Sequence, residues 1–191
     1  MNIEDIKKEL QQILGVKRFQ HSLSTAEMAV SLSKRHGVSP EQAELAAVLH
    51  DCAKGYSIHE MREQIAIHQV ELDEVEQKEP GLWHAPLSAV MAMVRFNVRD
   101  EDILQSIRIH STGDKEMSPL DKIIYISDYT EYHRKHLRVE DIRELAPHNL
   151  NLAVLMTINI KIAYLLEQEV LIHPRSIFAR NDLLAQGVKK G

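Results

Sequence analysis

The sequence predicts an all-α protein, and three observations carry that prediction. Apolar residues recur every three to four positions in almost every segment, and no segment shows the sustained period of two that indicates a strand. Helix start signals are frequent, as in Ser39-Pro40 and Ser118-Pro119, each a capping serine followed by a first-turn proline. The joints between segments are short. We therefore predict one compact helical domain.

The first five predicted helices follow apolar stripes between recognisable joints. Ile3, Ile6 and Leu10 form the stripe of the first helix, and Gly37 separates the second helix from the third. Ser39 and Gln42 form a capping-box pattern at the start of the third helix, as does Ser57 with Glu60 at the fourth. The predicted ranges are 3–14, 18–36, 40–51, 58–67 and 86–96.

The second five predicted helices include the most apolar segment of the chain. Residues 150–166 are interrupted by Asn151, Thr157, Asn159 and Lys161, so we interpret them as a buried central helix rather than a membrane span. The joint before the seventh helix contains Gly113. The predicted ranges are 101–110, 119–132, 140–145, 150–170 and 176–185.

Length and composition suit a single domain over residues 1–191, whose C-terminal segment, about 171–191, we expect to pack near a substrate cleft. The lone Cys52 excludes an intrachain disulfide and, with no signal-peptide pattern, predicts a cytoplasmic protein. The net charge of -5 provides no basic footprint for nucleic acid, and we expect no membrane partner. A phosphate-rich substrate would need positive charge supplied locally by metal ions, lysines and arginines.

The 11 histidines are unusually many, and the pair His50-Asp51 is the most informative of their contexts. The pair ends an apolar helix, where a buried imidazole and carboxylate are costly unless they pair or bind metal. For the dipeptide alone, a buried hydrogen-bonded pair is the simpler alternative.

Four further residues share this kind of context. His21 follows Arg18 on the second helix, and Asp128 follows an apolar run over 123–126. With His50-Asp51 they are a plausible set for one divalent ion of intermediate softness. His84 and His110 also have apolar neighbours, and each alone is more easily explained as a core or capping histidine. Together, the six residues indicate metal binding.

The order of these residues resembles that of the HD superfamily of metal-dependent phosphohydrolases. The finer pattern is similar to its YqeK family, the symmetrical bis(5′-nucleosyl)-tetraphosphatases. One departure is that Glu131 is followed by Tyr132, His133 and Arg134, where the family pattern has a proline after the glutamate and then a basic residue. The matching stretches are 18–26, 49–55, 83–89, 110–113, 117–129 and 172–174.

The resemblance implies a helical HD fold with two adjacent divalent metals, for which iron is expected and Mn, Co, Ni or Zn suit the same ligands. Asp51 would bridge the two ions and, with Lys54, serve catalysis. One metal would take His21, His50, Asp51 and Asp128, and the other His84, His110 and Asp51.

The candidate substrate contacts are cations and a turn near these ligands. Lys54 is three residues beyond Asp51 and is either a phosphate ligand or a solvated lysine that suits the end of a helix. Arg18, one turn before His21, could reach the same cleft. Thr112-Gly113 could approach a phosphate with its backbone, although ordinary turn chemistry explains it equally well. The remaining candidates are Arg134, His173 and Arg180.

Two acidic residues are candidates for orienting a ligand histidine. Asp121 shares a helical face with Asp128, but it is also the third position of a possible capping box. Glu131 lies three residues after Asp128, and its alternative is a surface carboxylate.

The resemblance implies hydrolysis of diadenosine tetraphosphate to two ADP, by attack of metal-activated water on an inner phosphate. A different HD hydrolase, acting on nucleoside mono- or triphosphates or cyclic nucleotides, is one alternative. A non-catalytic nucleotide-binding HD domain is the other. The expected partner is a nucleotide substrate, and a homodimer is possible.

Overall fold

The computed structural model describes residues 2–135 and 137–189, and its regular secondary structure is helical throughout these ranges. This confirms the all-α prediction, because none of the described residues lies in a β-strand. Two short 3-10 helices, Cys52–Gly55 and Pro80–Leu82, join longer ones. The α-helices are α1 (Ile3–Ile13), α2 (Val16–His36), α3 (Pro40–Leu49), α4 (Ile58–Ile67), α5 (His84–Val94), α6 (Glu101–Ile109), α7 (Pro119–Thr130), α8 (Val139–Leu145), α9 (Leu150–Glu167) and α10 (Pro174–Ala185).

The core lies where α2, α3, α5, α6 and α7 pack against one another. The helix α7 also packs against α9, which carries α8 and α10 on its other sides. On the opposite side, α1 packs against α2 and the 3-10 turn Cys52–Gly55. Leu49, Leu87, Ile107 and Ile123 are completely buried in this core. The ends of α3 and α6 and the start of α5 therefore meet near the middle of the molecule.

The predicted helix starts are formed by the expected caps, with one exception. Ser57 and Glu60 form a complete capping box at α4. Ser39 accepts a hydrogen bond from the backbone N–H of Gln42, as predicted. The Gln42 side chain does not complete that box, so this detail of the prediction is wrong: its amide donates to Asp100 Oδ2 at 2.7 Å, which ties α3 to the cap of α6.

The prediction of a buried central helix holds for the first half of α9 and fails for its second half. Ala153, Val154 and Ile158 are completely buried, whereas Tyr164 is 59% exposed and Leu166 is 62% exposed. By length and composition, α9 is the one helix among the described residues that could cross a membrane. A third of its residues are buried in the fold, and the core helices of soluble proteins often have the same length and composition. Its second half instead borders an open cavity.

Gly55 is required by a close approach between two backbone segments. A Cβ at this position would lie 2.3 Å from the carbonyl oxygen of Ile13, so alanine would force the turn Cys52–Gly55 away from α1. We expect Gly55→Ala to lower the free energy of unfolding by about 1–3 kcal/mol, the usual cost of overpacking. Urea denaturation followed by circular dichroism would measure it.

Gly15 provides the matched control for this substitution. A Cβ at Gly15 would meet no atom within 4 Å, and its φ of -61° is open to any residue. Gly15→Ala should therefore lower the stability less than Gly55→Ala does, since its only cost is the weaker capping of α2 by alanine. Equal stabilities for the two variants would contradict the steric argument.

Candidate metal centre

The structure brings the six predicted ligand residues together at the centre of the fold. Two of the six residues directly follow the last residue of α3, one lies on α2 and one on α7. The remaining two lie at the start of α5 and directly after the end of α6. Five of the six side chains are at most 8% exposed, and Asp128 is 22% exposed. The six residues are His21, His50, Asp51, His84, His110 and Asp128.

The carboxylate of Asp51 lies between two pairs of histidines. Its Oδ2 is 3.7 Å from His21 Nε2 and 3.4 Å from His50 Nε2. Its Oδ1 is 3.6 Å from His84 Nε2 and 3.5 Å from His110 Nε2. Each oxygen therefore faces its own pair of ring nitrogens.

Asp128 adds a second carboxylate to only one of these pairs. Its Oδ1 lies 3.1 Å from His21 Nε2 and 3.7 Å from His50 Nε2. In each of two sets, His21–His50–Asp51 and Asp51–His84–His110, one atom per residue lies within 4.8 Å of the others, a spacing that could hold an ion. Asp51 Oδ1 is buried without a hydrogen bond of good geometry in the described part of the chain, and a cation would remove that cost.

The four histidines are held through Nδ1, which leaves Nε2 facing the cluster. In a neutral ring that donates from Nδ1, the Nε2 lone pair is free to bind a metal, and such anchoring is usual for metal-binding histidines. The anchors are Ala47 O for His50 at 2.6 Å, Gly81 O for His84 at 2.8 Å, Ile107 O for His110 at 2.8 Å and Glu131 Oε1 for His21 at 3.3 Å.

His50 and His110 owe their positions to the same local geometry. Each is the residue directly after the last residue of a helix, α3 or α6, and each donates to the carbonyl three residues earlier. The carbonyls in the last turn of a helix have no partner within it, so each imidazole also satisfies one of them. The ends of two helices thus place two donor nitrogens.

Burial and charge set opposite protonation states within the cluster. Burial raises the pKa of Asp51, but the charge of His50 and the contact with His110 outweigh it and hold that pKa well below its usual range. Burial opposes protonation of His50, yet Asp51 and Asp128 raise its pKa to about 10. Burial dominates at His84 and lowers its pKa to about 3; it also lowers that of His110. These shifts favour a proton on His50 and neutral rings at His84 and His110, and a bound cation would displace that proton.

Three of the cationic side chains that were predicted to contact the substrate lie against the carboxylates of the cluster. Arg18 Nη1 is 2.7 Å from Asp51 Oδ2, Lys54 Nζ is 3.4 Å from Asp51 Oδ1, and Arg134 Nη2 is 2.9 Å from Asp128 Oδ1. All three are partly exposed and line one cavity of about 980 Å³, which we call the basic cavity. Its other lining residues are Gly15, Val16, Lys17, Gln20, His21, Glu131 and His133.

The turn Thr112-Gly113 is explained by contacts within the fold. The Thr112 carbonyl accepts a hydrogen bond from Ser176 Oγ at 2.8 Å. Gly113 has a φ of +67°, and a Cβ there would approach Ala179 on α10 to 3.3 Å. The turn thus fixes α10, and its contact with a phosphate stays a prediction.

His173 and Arg180 bind other protein groups near α10. His173 Nε2 is 2.8 Å from Asp73 Oδ2, and its Nδ1 accepts from the backbone N–H of Arg175. Arg180 donates to Asn159 on α9 at 2.7 Å. Their roles in substrate binding stay predictions, as does the packing of 171–191 beside the cleft; residues 190 and 191 lie outside the described residues.

The two predicted orienting acids have different surroundings. Glu131 is 3% exposed, and its Oε1 contacts His21 Nδ1, where an orienting group would lie. Asp121 instead completes the capping box of α7 with Ser118. Each of the four cluster histidines has another partner at Nδ1, so capping is the function that the contacts of Asp121 explain.

Two residues near the cluster were not assigned from the sequence. Ser111 Oγ lies 2.9 Å from His84 Nε2, and its carbonyl accepts a hydrogen bond from Lys161 Nζ at 2.7 Å. Burial lowers the pKa of Lys161 to about 8, although the charge of Asp128 opposes this. The available signals were the position of Ser111 directly after His110 and a lone lysine in an apolar helix.

An all-α frame that gathers histidines and aspartates from separate helices defines the class of HD-domain proteins. The HD domain family model matches residues 18–133, which include all six cluster residues and most of the helices that carry them. This agreement covers more than half of the chain.

Relatives over nearly the whole chain identify the particular family. A symmetrical bis(5′-nucleosyl)-tetraphosphatase from Bacillus subtilis is 33% identical and covers 97% of this chain and 99% of its own. One from Halalkalibacterium halodurans is 36% identical, covering 88% and 90%. A crystal structure from Clostridium acetobutylicum, described as a predicted HD superfamily hydrolase involved in NAD metabolism, superposes with a TM-score of 0.93 at 33% identity, covering 97% and 98%. The chain belongs to the HD domain family and, within it, to the symmetrical bis(5′-nucleosyl)-tetraphosphatases, which confirms the resemblance.

Proposed function

We propose that this chain is a metal-dependent hydrolase that cleaves diadenosine tetraphosphate symmetrically into two ADP. The observation that carries the proposal is the Asp51 carboxylate, each of whose oxygens faces its own pair of histidine Nε2 atoms. A carboxylate in that position can bridge two ions. The name shared by the two bacterial relatives supports the choice of substrate and of bond.

Two divalent ions, iron in our assignment, would occupy the two halves of the cluster. The donor set of imidazole nitrogens and carboxylate oxygens suits first-row transition metals, including Mn, Co, Ni and Zn. Bound ions would lower the pKa of water from its bulk value to about 7 and withdraw charge from phosphate oxygens. The proposed ligands are His21, His50, Asp51 and Asp128 for one ion, and His84, His110 and Asp51 for the other.

Arg18, Lys54 and Arg134 would bind the phosphate chain. Each of them lies within ion-pair distance of a cluster carboxylate. When metal cations neutralise those carboxylates, the three side chains can face an anionic substrate in the basic cavity. Their placement beside the cluster allows charge to be neutralised on the departing ADP as well as on the attacked phosphate.

The proposed reaction breaks the central phosphoanhydride bond. The oxygen of water forms a bond to one inner phosphorus atom, and the bridging oxygen leaves with the other inner phosphate as part of ADP. One proton of the water is released to solvent, the other is retained on a terminal phosphate of the products or released according to pH, and both products are ADP. The oxygen of the attacking water becomes part of one of the two ADP molecules. Labelled water therefore shows which phosphorus–oxygen bond is cleaved.

We expect the metal-loaded protein to convert diadenosine tetraphosphate into ADP alone, with ¹⁸O from labelled water in half of the ADP molecules. Ion-exchange chromatography and mass spectrometry would measure both quantities. ATP plus AMP as products would contradict symmetrical cleavage. Preferred turnover of nucleoside mono- or triphosphates or cyclic nucleotides would favour the first alternative, and binding without turnover of any nucleotide would favour a non-catalytic domain.

A further inference from the structure

A second cavity opens beside the cluster and has a different character from the basic cavity. It has a volume of about 1180 Å³ and lies along the half-exposed face of α9, bordered by α7, α10 and the residues Arg134, Leu137 and Arg138. We call it the apolar cavity. Leu152, Leu155, Met156 and Ile160 form its wall on α9, and Leu184 on α10 faces them.

The charged end of the apolar cavity is at the cluster. Asp128, the ligand residue on α7, lines it together with Arg134 and Lys161. Arg134 lines the basic cavity as well, so the two cavities meet at this side chain. Asp128 borders the apolar cavity and His21 borders the basic cavity, so a ligand bound beside these two residues can extend into either cavity.

Lys161 is a cation without a carboxylate at ion-pair distance among the described residues. Its Nζ donates to the Ser111 carbonyl and lies 4.4 Å from the centre of the Tyr125 ring. An ammonium group has three donors, and the Ser111 carbonyl accepts from one. The others are available to an anion at the inner end of the apolar cavity.

The outer part of the apolar cavity has exposed apolar and aromatic side chains. Leu137 is 75% exposed and Tyr164 is 59% exposed, and both line the cavity. Tyrosine rings stack on planar ligands, and ligand cavities commonly have mostly apolar walls with a few polar groups that fix the ligand's orientation. A wall of this kind leading to two cations matches a nucleoside joined to a phosphate.

We propose that the apolar cavity binds one of the two nucleosides of the substrate, and that Lys161 contacts the phosphate next to it. The inference rests on the proposed function, because a symmetrical dinucleoside substrate needs room for a nucleoside on each side of the bond that is cleaved. The basic cavity, which meets the apolar cavity at Arg134, would receive the other half. Arg134 lies between the two halves.

The test fills the apolar cavity without disturbing the core. Ala163 lines the cavity and is exposed, so Ala163→Trp adds bulk to the cavity at a position where the fold has room. Leu166→Trp is the matched control, because Leu166 is exposed on the same helix and does not line the cavity. The ligand is a diadenosine tetraphosphate analogue with a methylene group between the two inner phosphates, which cannot be cleaved at the central bond.

We expect Ala163→Trp to weaken binding of the analogue at least about tenfold in isothermal titration, about 1.4 kcal/mol, while Leu166→Trp binds as the unmodified protein does. Lys161→Met should weaken it by a similar factor, and Lys161→Arg should restore most of it. Unchanged affinity in Ala163→Trp would overturn the proposal. If Ala163→Trp changes the oligomeric state in light scattering but binds the analogue with unchanged affinity, the proposal is also overturned. The cavity would then be assigned to contact with a second copy of the chain.

The binding measurement separates this inference from the proposed function. If the unmodified protein binds the analogue but cleaves no dinucleoside tetraphosphate, the proposed function fails while the cavity variants still test the site. If cleavage proceeds and Ala163→Trp has the same Kd and KM as Leu166→Trp, the proposed function stands and the nucleoside site is wrong.

Discussion

Asp51→Asn is expected to lower kcat/KM for diadenosine tetraphosphate at least about a thousandfold, about 4 kcal/mol of transition-state stabilisation. Asparagine keeps the shape of the side chain but places an amide N–H₂ where one carboxylate oxygen lies. One of the two histidine pairs would then face a donor instead of an acceptor. The variant should also bind fewer metal ions, since the shared anionic ligand is lost.

Steady-state kinetics and elemental analysis of anaerobically purified protein would measure these two effects. Asp100→Asn is the matched control, because Asp100 caps α6 and asparagine is an equally good cap. The control should retain activity and metal. An Asp51→Asn variant with the metal content and activity of the unmodified protein would defeat the ligand assignment.

His84→Ala is expected to remove one ion and to lower kcat at least about a hundredfold, since one half of a two-metal site would be lost. His84 Nε2 contacts Asp51 Oδ1, His110 and Ser111, in the set of ligands that does not include His21. The set formed by α2, α3 and α7 should therefore keep its ion. The expected metal content falls from two to one per chain.

His21→Ala should produce the complementary loss, and the two variants together test whether the cluster has two halves. His59→Ala serves as the control, because His59 is 81% exposed on α4. Complete loss of metal in either single variant would show that the ions bind only as a pair. Two ions retained in His84→Ala would contradict the proposed role of His84.

The helices could be predicted from the sequence because the period of apolar residues is a local property. The cluster could be predicted because most of its residues interrupt or end an apolar stretch, where an imidazole or carboxylate needs a partner. The arrangement in space could not be predicted in this way. Nothing local indicates that Asp51 Oδ1 faces His84 and His110 while Oδ2 faces His21 and His50.

The residues that sequence reasoning missed depend on packing between distant elements. Lys161 looks like an interruption of an apolar helix until α9 is placed against the turn that contains Ser111. The exposed second half of α9 has the composition of a core helix, and only the position of α10 shows that a cavity lies beside it. Asp121 shows the reverse case, since a local capping pattern explains it better than proximity to the ligands.

Main-chain carbonyls orient three of the four imidazoles. The positions of their Nε2 atoms are therefore set by where helices start and end rather than by neighbouring side chains. Substitutions in the surrounding core that preserve where α3, α5 and α6 start or stop would leave the coordination geometry as it is. A single-residue insertion between Ala47 and His50 would rotate that ring by about 100°, given 3.6 residues per turn, and turn its nitrogen away from the ion. The geometry of the cluster therefore depends on helix length as well as on the identity of the ligand side chains.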